Sequence, residues 1–396
     1  MKYTICVTQR CNLRCDYCYI GKHDISLSAD LAHRIVNFAY RQTPAKEKID
    51  IGFFGGEPLL EFHRIRDIVC MIEEHSDFSP ERVEMTVVSN GTLFSDEIAC
   101  FLQEHDIAYG VSCDGPPAIH DMFRCFEDGR GSGELVKETL QRAIVAMPAT
   151  MVNAVYRPQT FHLLPRVIEY FSELGLRHIY LSPDFSAQWT ADDAAKLPDL
   201  FSQIGAFHAL AHIRGDHHFI SLIDAKIAVI LRGGYRPDER CRMGRGEYAF
   251  SASGFIYPCE RLIGGGGGDG HCIGHMDTGI DQNRPACHPA AREKTPLSCT
   301  ECGIQDYCMN WCGCSNYMSS GSYNRPAAFV CASERAAIKA AYNVIQIFDA
   351  KKHGAVLFPH FTGEFAPGSF TARPIREKEG VCLSETRPLA GKTPRD

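Results

Sequence analysis

A chain of 396 residues, 45% apolar and 22% charged, has room for a catalytic domain plus a second unit around a large core. Its 41 basic against 48 acidic side chains leave a formal charge of −7, which excludes a broad basic footprint for nucleic acid and favours a peptide or small molecule as partner. The 19 cysteines, an odd count, exclude a fully paired disulfide framework. No signal peptide precedes the first strand, and no apolar run nears the roughly 18 residues that span a bilayer. Unpaired thiols without export point to the cytoplasm and to metal ligation.

The first 180 residues alternate two patterns. Short β-rich runs fall at Tyr3–Val7, Asp50–Phe54, Arg82–Ser89, Ala108–Cys113, Met151–Tyr156 and His178–Leu181. Amphipathic stretches stand between them at Leu31–Arg41, Ile65–Glu74, Asp96–His105, Leu135–Ala146 and Leu163–Leu174. Ser95 and Ser132 read as N-caps and Gly175 as a C-cap. Six βα repeats predict a parallel sheet with right-handed crossovers, an α/β fold of the partial (β/α)6, TIM-like barrel kind. In such folds the chemistry gathers at the C-terminal ends of the strands.

Directly after the first strand comes Cys11-Asn12-Leu13-Arg14-Cys15-Asp16-Tyr17-Cys18. Three thiols in so short a loop can converge on one point. They are one short of the four that close an iron–sulfur cube, which leaves one iron open to a ligand. Zinc would need a fourth ligand, and none stands nearby. Gly55-Gly56-Glu57-Pro58 follows the second strand, Ser89-Asn90-Gly91-Thr92 the third and Asp114-Gly115-Pro116 the fourth. Gly55 and Gly56 admit close backbone approach to a ligand, and Glu57 offers a carboxylate to a cation.

The loop resembles the signature of the radical S-adenosylmethionine enzymes, Cys-x3-Cys-x2-Cys with an aromatic (Tyr17) before the last cysteine. The resemblance implies a 4Fe–4S cluster on Cys11, Cys15 and Cys18, and S-adenosylmethionine as cofactor. It further implies a methionyl-amine site at Gly55, Gly56 and Glu57. Ser89, Asn90, Ser112 and Asp114 match further family stretches around the same ligand. Arg124 closes a His120-Asp121-x-x-Arg124 sequence found in the peptide-modifying branch, where a carboxylate clamp and a surface salt bridge are both open roles.

From Ala191 to about 235 the alternation stops, and two helices broken near Gly215-Asp216 form a helical linker. His208 and His212 lie four apart, a zinc-like spacing without a visible third ligand, and read as a solvated helix end. Beyond Gly233 cysteine and glycine rise: Cys241, Gly254-x4-Cys259, Cys299-x2-Cys302-x5-Cys308-x3-Cys312, then Cys331. This order is similar to the SPASM domain, the auxiliary-cluster module of peptide-modifying radical S-adenosylmethionine enzymes. By that resemblance Cys241, Cys259 and Cys312 hold a first auxiliary cluster, and Cys299, Cys302, Cys308 and Cys331 a second, both of 4Fe–4S type. Some members carry an eighth cysteine shortly after the first, and none stands between Arg242 and Glu247. The first auxiliary cluster therefore keeps an open iron or recruits Cys272, Cys287 or Cys314. Glu260, directly after Cys259, stands where sulfatase-maturing relatives carry an Asp. Desolvation can raise its pKa and make it a general base, with a salt bridge to Arg261 or Arg245 as the competing role.

A helix over Ser333–Phe348 is expected to pack back on the barrel, and 351–396 reads as a loosely held tail. The expected domains are a core at 1–190, the linker at 191–235, the auxiliary module at 236–350 and the tail. The resemblance implies reductive cleavage of S-adenosylmethionine to a 5′-deoxyadenosyl radical that takes a hydrogen atom from a ribosomal peptide. Thioether or other crosslinking, epimerisation and oxidation are the candidate outcomes. Formylglycine formation on a sulfatase, action on a small cofactor precursor, and plain electron transfer are the alternatives. The implied partners are a precursor peptide or protein, a separate recognition protein (the chain begins at its first strand), and a flavodoxin- or ferredoxin-type reductant. No nucleic acid or membrane is expected.

Overall fold

The computed structural model describes residues 1–236, 239–264, 270–281, 283–284, 296–309 and 311–348. Cys287, most of the Gly264–Gly268 run and the expected tail lie outside the described residues.

The six expected strands are present as β1 (Lys2–Thr8), β2 (Ile49–Gly55), β3 (Val83–Ser89), β4 (Ile107–Ser112), β5 (Met151–Tyr156) and β6 (His178–Pro183). They pair in sequence order, and every pairing is parallel. The helices between them are α1 (Ala29–Gln42), α2 (Phe62–Glu73), α3 (Asp96–Glu104), the short α4 (Pro117–His120), α5 (Gly133–Ala146) and α6 (Leu164–Glu173). Ser95 caps α3 as expected, its side chain accepting from Ile98 N–H. Ser132 does not cap α5. Asp121 Oδ1 takes the Gly133 N–H instead, at 2.7 Å, while the Ser132 hydroxyl meets His120 Nε2 and donates to the Arg124 carbonyl. Gly175 follows α6 with φ +89°, the left-handed turn that only glycine takes without strain.

Two features differ from the expected plan. The stretch read as a linker holds α7 (Ala191–Ile213), a seventh parallel strand β7 (Phe219–Ile220) and α8 (Ser221–Leu231). Leu197, Phe201, Ile204, Ile223 and Ile227 share one apolar core with the strands, so this segment is part of the main body. The cysteine-rich region also enters the sheet. Its β8 (Glu247–Phe250) lies parallel to β1, and β9 (Phe255–Tyr257), β10 (Gly274–His275) and β11 (Gly279–Ile280) continue antiparallel. Among the described residues the sheet is open, with β7 at one edge and β11 at the other. Flanked by β2 and β8, β1 is buried on both faces, which is why Tyr3–Val7 is apolar on both sides of the strand but for Thr4.

Among the described residues three further helices follow: α9 (Leu297–Thr300), α10 (Gly313–Ser320) and α11 (Ala328–Ile347). α11 starts before Cys331, lies chiefly against α7 and α8, and shares the strands' apolar core through Phe329, Ala337 and Val344. Phe329 at its start stacks on Trp189 with ring centroids 3.7 Å apart.

Candidate active site at the strand ends

β1 delivers the chain into the Cys11–Cys18 loop, whose backbone is pinned independently of its sulfurs. Arg14 N–H donates to the Cys125 carbonyl at 2.7 Å and Asp16 N–H to that of Phe123 at 3.0 Å. Asn12 bonds Thr92 and receives the Asn90 amide at 2.9 Å. The same Asn90 amide stands 3.8 Å from Cys11 Sγ. The thiols lie close enough for Cys18 to act electrostatically on both Cys11 and Cys15. Burial pushes the Cys15 thiol up to about 11, opposed by the Arg124 guanidinium. A compact three-thiol set on a fixed backbone fits a cube with one open iron.

The glycine turn serves this loop directly. Gly56 N–H donates to the Thr8 carbonyl at 2.9 Å and Glu57 N–H to that of Arg10 at 2.8 Å, extending the β1–β2 ladder into the start of the thiol loop. Gly55 has φ +150°, and a Cβ there would lie 2.3 Å from Thr8 O. At Gly56 a Cβ would lie 2.2 Å from Arg10 O. The close approach these glycines permit is therefore to the thiol loop's own backbone. Gly56→Ala is expected to cost at least about 1–3 kcal/mol and to lower iron retention, read by urea unfolding and iron analysis. Gly52→Ala in the same strand, whose Cβ would meet only Thr4 Oγ1 at 3.8 Å, is the near-neutral control.

Glu57 is turned inward and fully buried. It accepts from Leu59 N–H at 3.0 Å, the Ser89 hydroxyl at 2.9 Å and Asn90 N–H at 2.7 Å. Its carboxylate ties the end of β2 to the end of β3 and does not stand open to a cation. Burial pushes this carboxyl up from 4.5 to about 7 against those three donors. A folded-state value above the unfolded one means the native protein binds the extra proton between those two pH values. Its stabilisation is therefore whole at low pH and lost as pH rises through that window. Thermal midpoints measured from pH 5 to about 7.5 should fall more steeply in the native chain than in Glu57→Gln.

Asp114 and Arg124 meet in the interior, with Arg124 Nε donating to Asp114 Oδ2 at 3.0 Å and both side chains almost fully buried. Tyr17 donates its hydroxyl to the same oxygen, and the guanidinium lies over its ring at 5.1 Å. Asp114 Oδ1 accepts from Val155 N–H at 2.9 Å. Arg124 is thus neither a surface salt bridge nor an exposed clamp. Ser112 ends β4, in register with Asn153.

Sequence-distant residues close the other side. Tyr19, just past Cys18, lies within electrostatic reach of Cys18, Cys259, Glu260 and Arg261, so it stands near both the N-terminal thiols and the Cys259 region. Arg261 lies over Phe185 at 5.0 Å, beyond the end of β6. Glu260 pairs with Lys2 of β1 at 3.8 Å, not with Arg245, and Lys2 also reaches Glu247 at 3.7 Å. Burial pushes Glu260 upward, but the Lys2 ammonium and the Arg261 guanidinium outweigh it, so its carboxyl lies below the ordinary value. The expected raised pKa is therefore corrected. Lys2, Tyr19 and Arg261 carried no local sequence signal, because their roles arise only when β8 pairs with β1.

The expected second auxiliary set gathers around Arg335, one turn after Cys331 on α11. Arg335 donates to Cys302 Sγ at 3.3 Å and acts electrostatically on Cys302, Cys308 and Cys331, while Cys299 acts on Cys331. Buried Lys226 of α8 and Met309 N–H both bond Glu334, which fixes α11 to the loop carrying Cys308. His208 and His212 are buried, not solvated. His208 Nε2 meets Asp224 Oδ1 at 2.9 Å, bridging α7 to α8.

The Radical SAM superfamily model matches residues 5–170. An uncharacterized protein, MJ0907 of Methanocaldococcus jannaschii, is 34% identical over 45% of this chain and 61% of its own length. A cysteine-type anaerobic sulfatase-maturating enzyme of Clostridium novyi is 22% identical over 65% of this chain and 72% of its own. Among solved structures, native anSMEcpe with bound AdoMet and Cp18Cys peptide shares the fold at TM-score 0.74 and 18% identity, over 87% of this chain and 98% of that one. Streptococcus suis SuiB bound to precursor peptide SuiA does so at 0.60 and 14%, over 83% and 75%. Residues 5–170, which contain the thiol loop, the glycine turn and the Asp114–Arg124 pair, therefore form a radical SAM domain.

Proposed function

We propose that this chain is a radical S-adenosylmethionine enzyme that modifies a peptide, with auxiliary clusters carried by the cysteine-rich region. The observation that carries the reading is the Cys11–Cys18 loop pinned at the strand ends, with Tyr19 just past it within electrostatic reach of Cys259, Glu260 and Arg261 of the cysteine-rich region. A 4Fe–4S cluster on Cys11, Cys15 and Cys18 would supply the electron that cleaves S-adenosylmethionine to methionine and a 5′-deoxyadenosyl radical.

The chain's own residues hold this arrangement. Asn12, Asn90 and the carbonyls of Phe123 and Cys125 fix the loop. Gly55, Gly56 and Glu57 form the turn proposed to lie against the methionyl end, and Ser89, Asn90, Ser112 and Asp114 complete the surrounding strand ends. Glu260, held by Lys2, is the candidate proton acceptor for the substrate. Both solved proteins of the same fold are bound to peptides, which supports a peptide as substrate. A precursor-recognition protein and a flavodoxin- or ferredoxin-type donor complete the proposed partners. Among the described residues no helix is long and apolar enough to cross a membrane.

Formylglycine formation is the second reading, favoured by the acid that directly follows Cys259 and by the Clostridium novyi relative. The test is anaerobic incubation of the reduced, iron-loaded protein with S-adenosylmethionine and two peptide sets. One set holds short precursor peptides encoded beside the gene, the other sulfatase peptides bearing Cys or Ser. A mass change confined to the first supports peptide maturation, a change confined to the second supports formylglycine formation, and absence of 5′-deoxyadenosine from both overturns the assignment.

A further inference from the structure

The order of cysteines leaves the first auxiliary site one ligand short, and the packing supplies it. Three chain segments close on one apolar nest built from Met243, Cys259, Leu262 and Cys314, with Cys241 and Cys312 against its rim. The β8–β9 hairpin brings Cys259 there. Its turn passes through Gly254 at φ +91°, where a Cβ would press within 3.0 Å of His275. The third segment is Cys312-Gly313-Cys314, at the start of α10. Gly313 lets this turn lie on Met243, for a Cβ there would stand 2.9 Å from Met243 Cε. The turn places both sulfurs on the same side: Cys312 Sγ and Cys314 Sγ are 3.6 Å apart. Cys314 also contacts the Cys259 thiol, and both are buried.

Among the described residues the other candidates are spent elsewhere. Cys272 packs in a separate nest with Cys6, Ala249 and Tyr257 and donates to the Gly274 carbonyl at 3.2 Å. Glu247 has a carboxylate oxygen 3.5 Å from Cys241 Sγ, yet it is paired with Lys2. A hard carboxylate is also a poorer partner than a thiolate for an iron–sulfur core.

Resting on the reading that this region binds an iron–sulfur cluster, we infer that Cys314 is the fourth ligand of the first auxiliary site, beside Cys241, Cys259 and Cys312. A site closed by four thiolates has no iron free for a substrate thiolate. Its part in catalysis is then to pass electrons, not to anchor the peptide.

The test uses the full chain carrying Cys11→Ala, Cys15→Ala and Cys18→Ala, so that only auxiliary clusters remain, reconstituted anaerobically and reduced. Cyanide, which binds an open iron, is added while the electron paramagnetic resonance spectrum is recorded. The expected result is a spectrum that cyanide leaves unchanged, both in this background and with Glu247→Gln added. With Cys314→Ala added, a cyanide-dependent shift should appear. Cys314→Ser, which keeps the turn's size and offers oxygen for sulfur, should shift the spectrum before any cyanide is present and guards against a folding defect in the alanine variant. A cyanide response in the background protein, or one created by Glu247→Gln while both Cys314 variants stay silent, overturns the assignment. Absence of any iron–sulfur signal in the background protein overturns the underlying reading instead, and the two failures are distinct.

Discussion

Cys15→Ala is expected to abolish 5′-deoxyadenosine formation by the reduced, anaerobic protein, leaving only the rate seen without enzyme. The reason is stoichiometric: three thiols already leave one iron open, and removing another ligand exposes a second iron and destabilises the cube. The loss should not come from misfolding. The hydrogen bonds that hold the loop run from Arg14 and Asp16 to backbone carbonyls on the other strand-end segment, and none of them uses the Cys15 sulfur. Urea unfolding of the metal-free variant should therefore match that of the metal-free parent, while iron bound after reconstitution falls. Persistence of 5′-deoxyadenosine at more than about a tenth of the parent rate would sink the assignment of this loop.

The parts of the architecture that were legible in sequence are those set by local physics. The βα rhythm follows from apolar periodicity, and the six expected strands appear with ends within two residues or so because each is bounded by a turn or a capped helix. The thiol loop and the glycine turn were legible because their spacing is local. What stayed hidden depends on pairing across the chain. β7 is only two residues long and sits behind a histidine-rich turn, too short to show an alternation. The burial of His208 comes from Asp224, sixteen positions away on another helix. Glu57 reads from sequence as a ligand for a cation, yet the adjacent ends of β2 and β3 turn it into an internal clasp. Glu260 follows the same logic: its partner is Lys2, at the far end of the chain, and only the β1–β8 pairing brings the two together.

The Asp114–Arg124 pair yields the second large effect. Arg124→Met keeps much of the side chain's length and removes its charge, leaving the Asp114 carboxylate buried with only the Tyr17 hydroxyl and Val155 N–H as polar neighbours at its oxygens. Stripping one partner from a buried ion pair costs about 3–5 kcal/mol, because the survivor keeps its desolvation penalty without its compensation. Urea unfolding of the metal-free protein should show a loss of that size. Adding Asp114→Asn to Arg124→Met removes the stranded charge and should restore part of the loss, an ordering that a solvated pair would not produce. The same substitution reaches the thiol loop, since Arg124 lies between the two residues, Phe123 and Cys125, whose carbonyls hold Asp16 and Arg14. Iron retention should therefore fall with stability in Arg124→Met and recover in the double variant. A single variant within about 1 kcal/mol of the parent would place the guanidinium in water, where exposed pairs contribute that little, and would detach it from the loop.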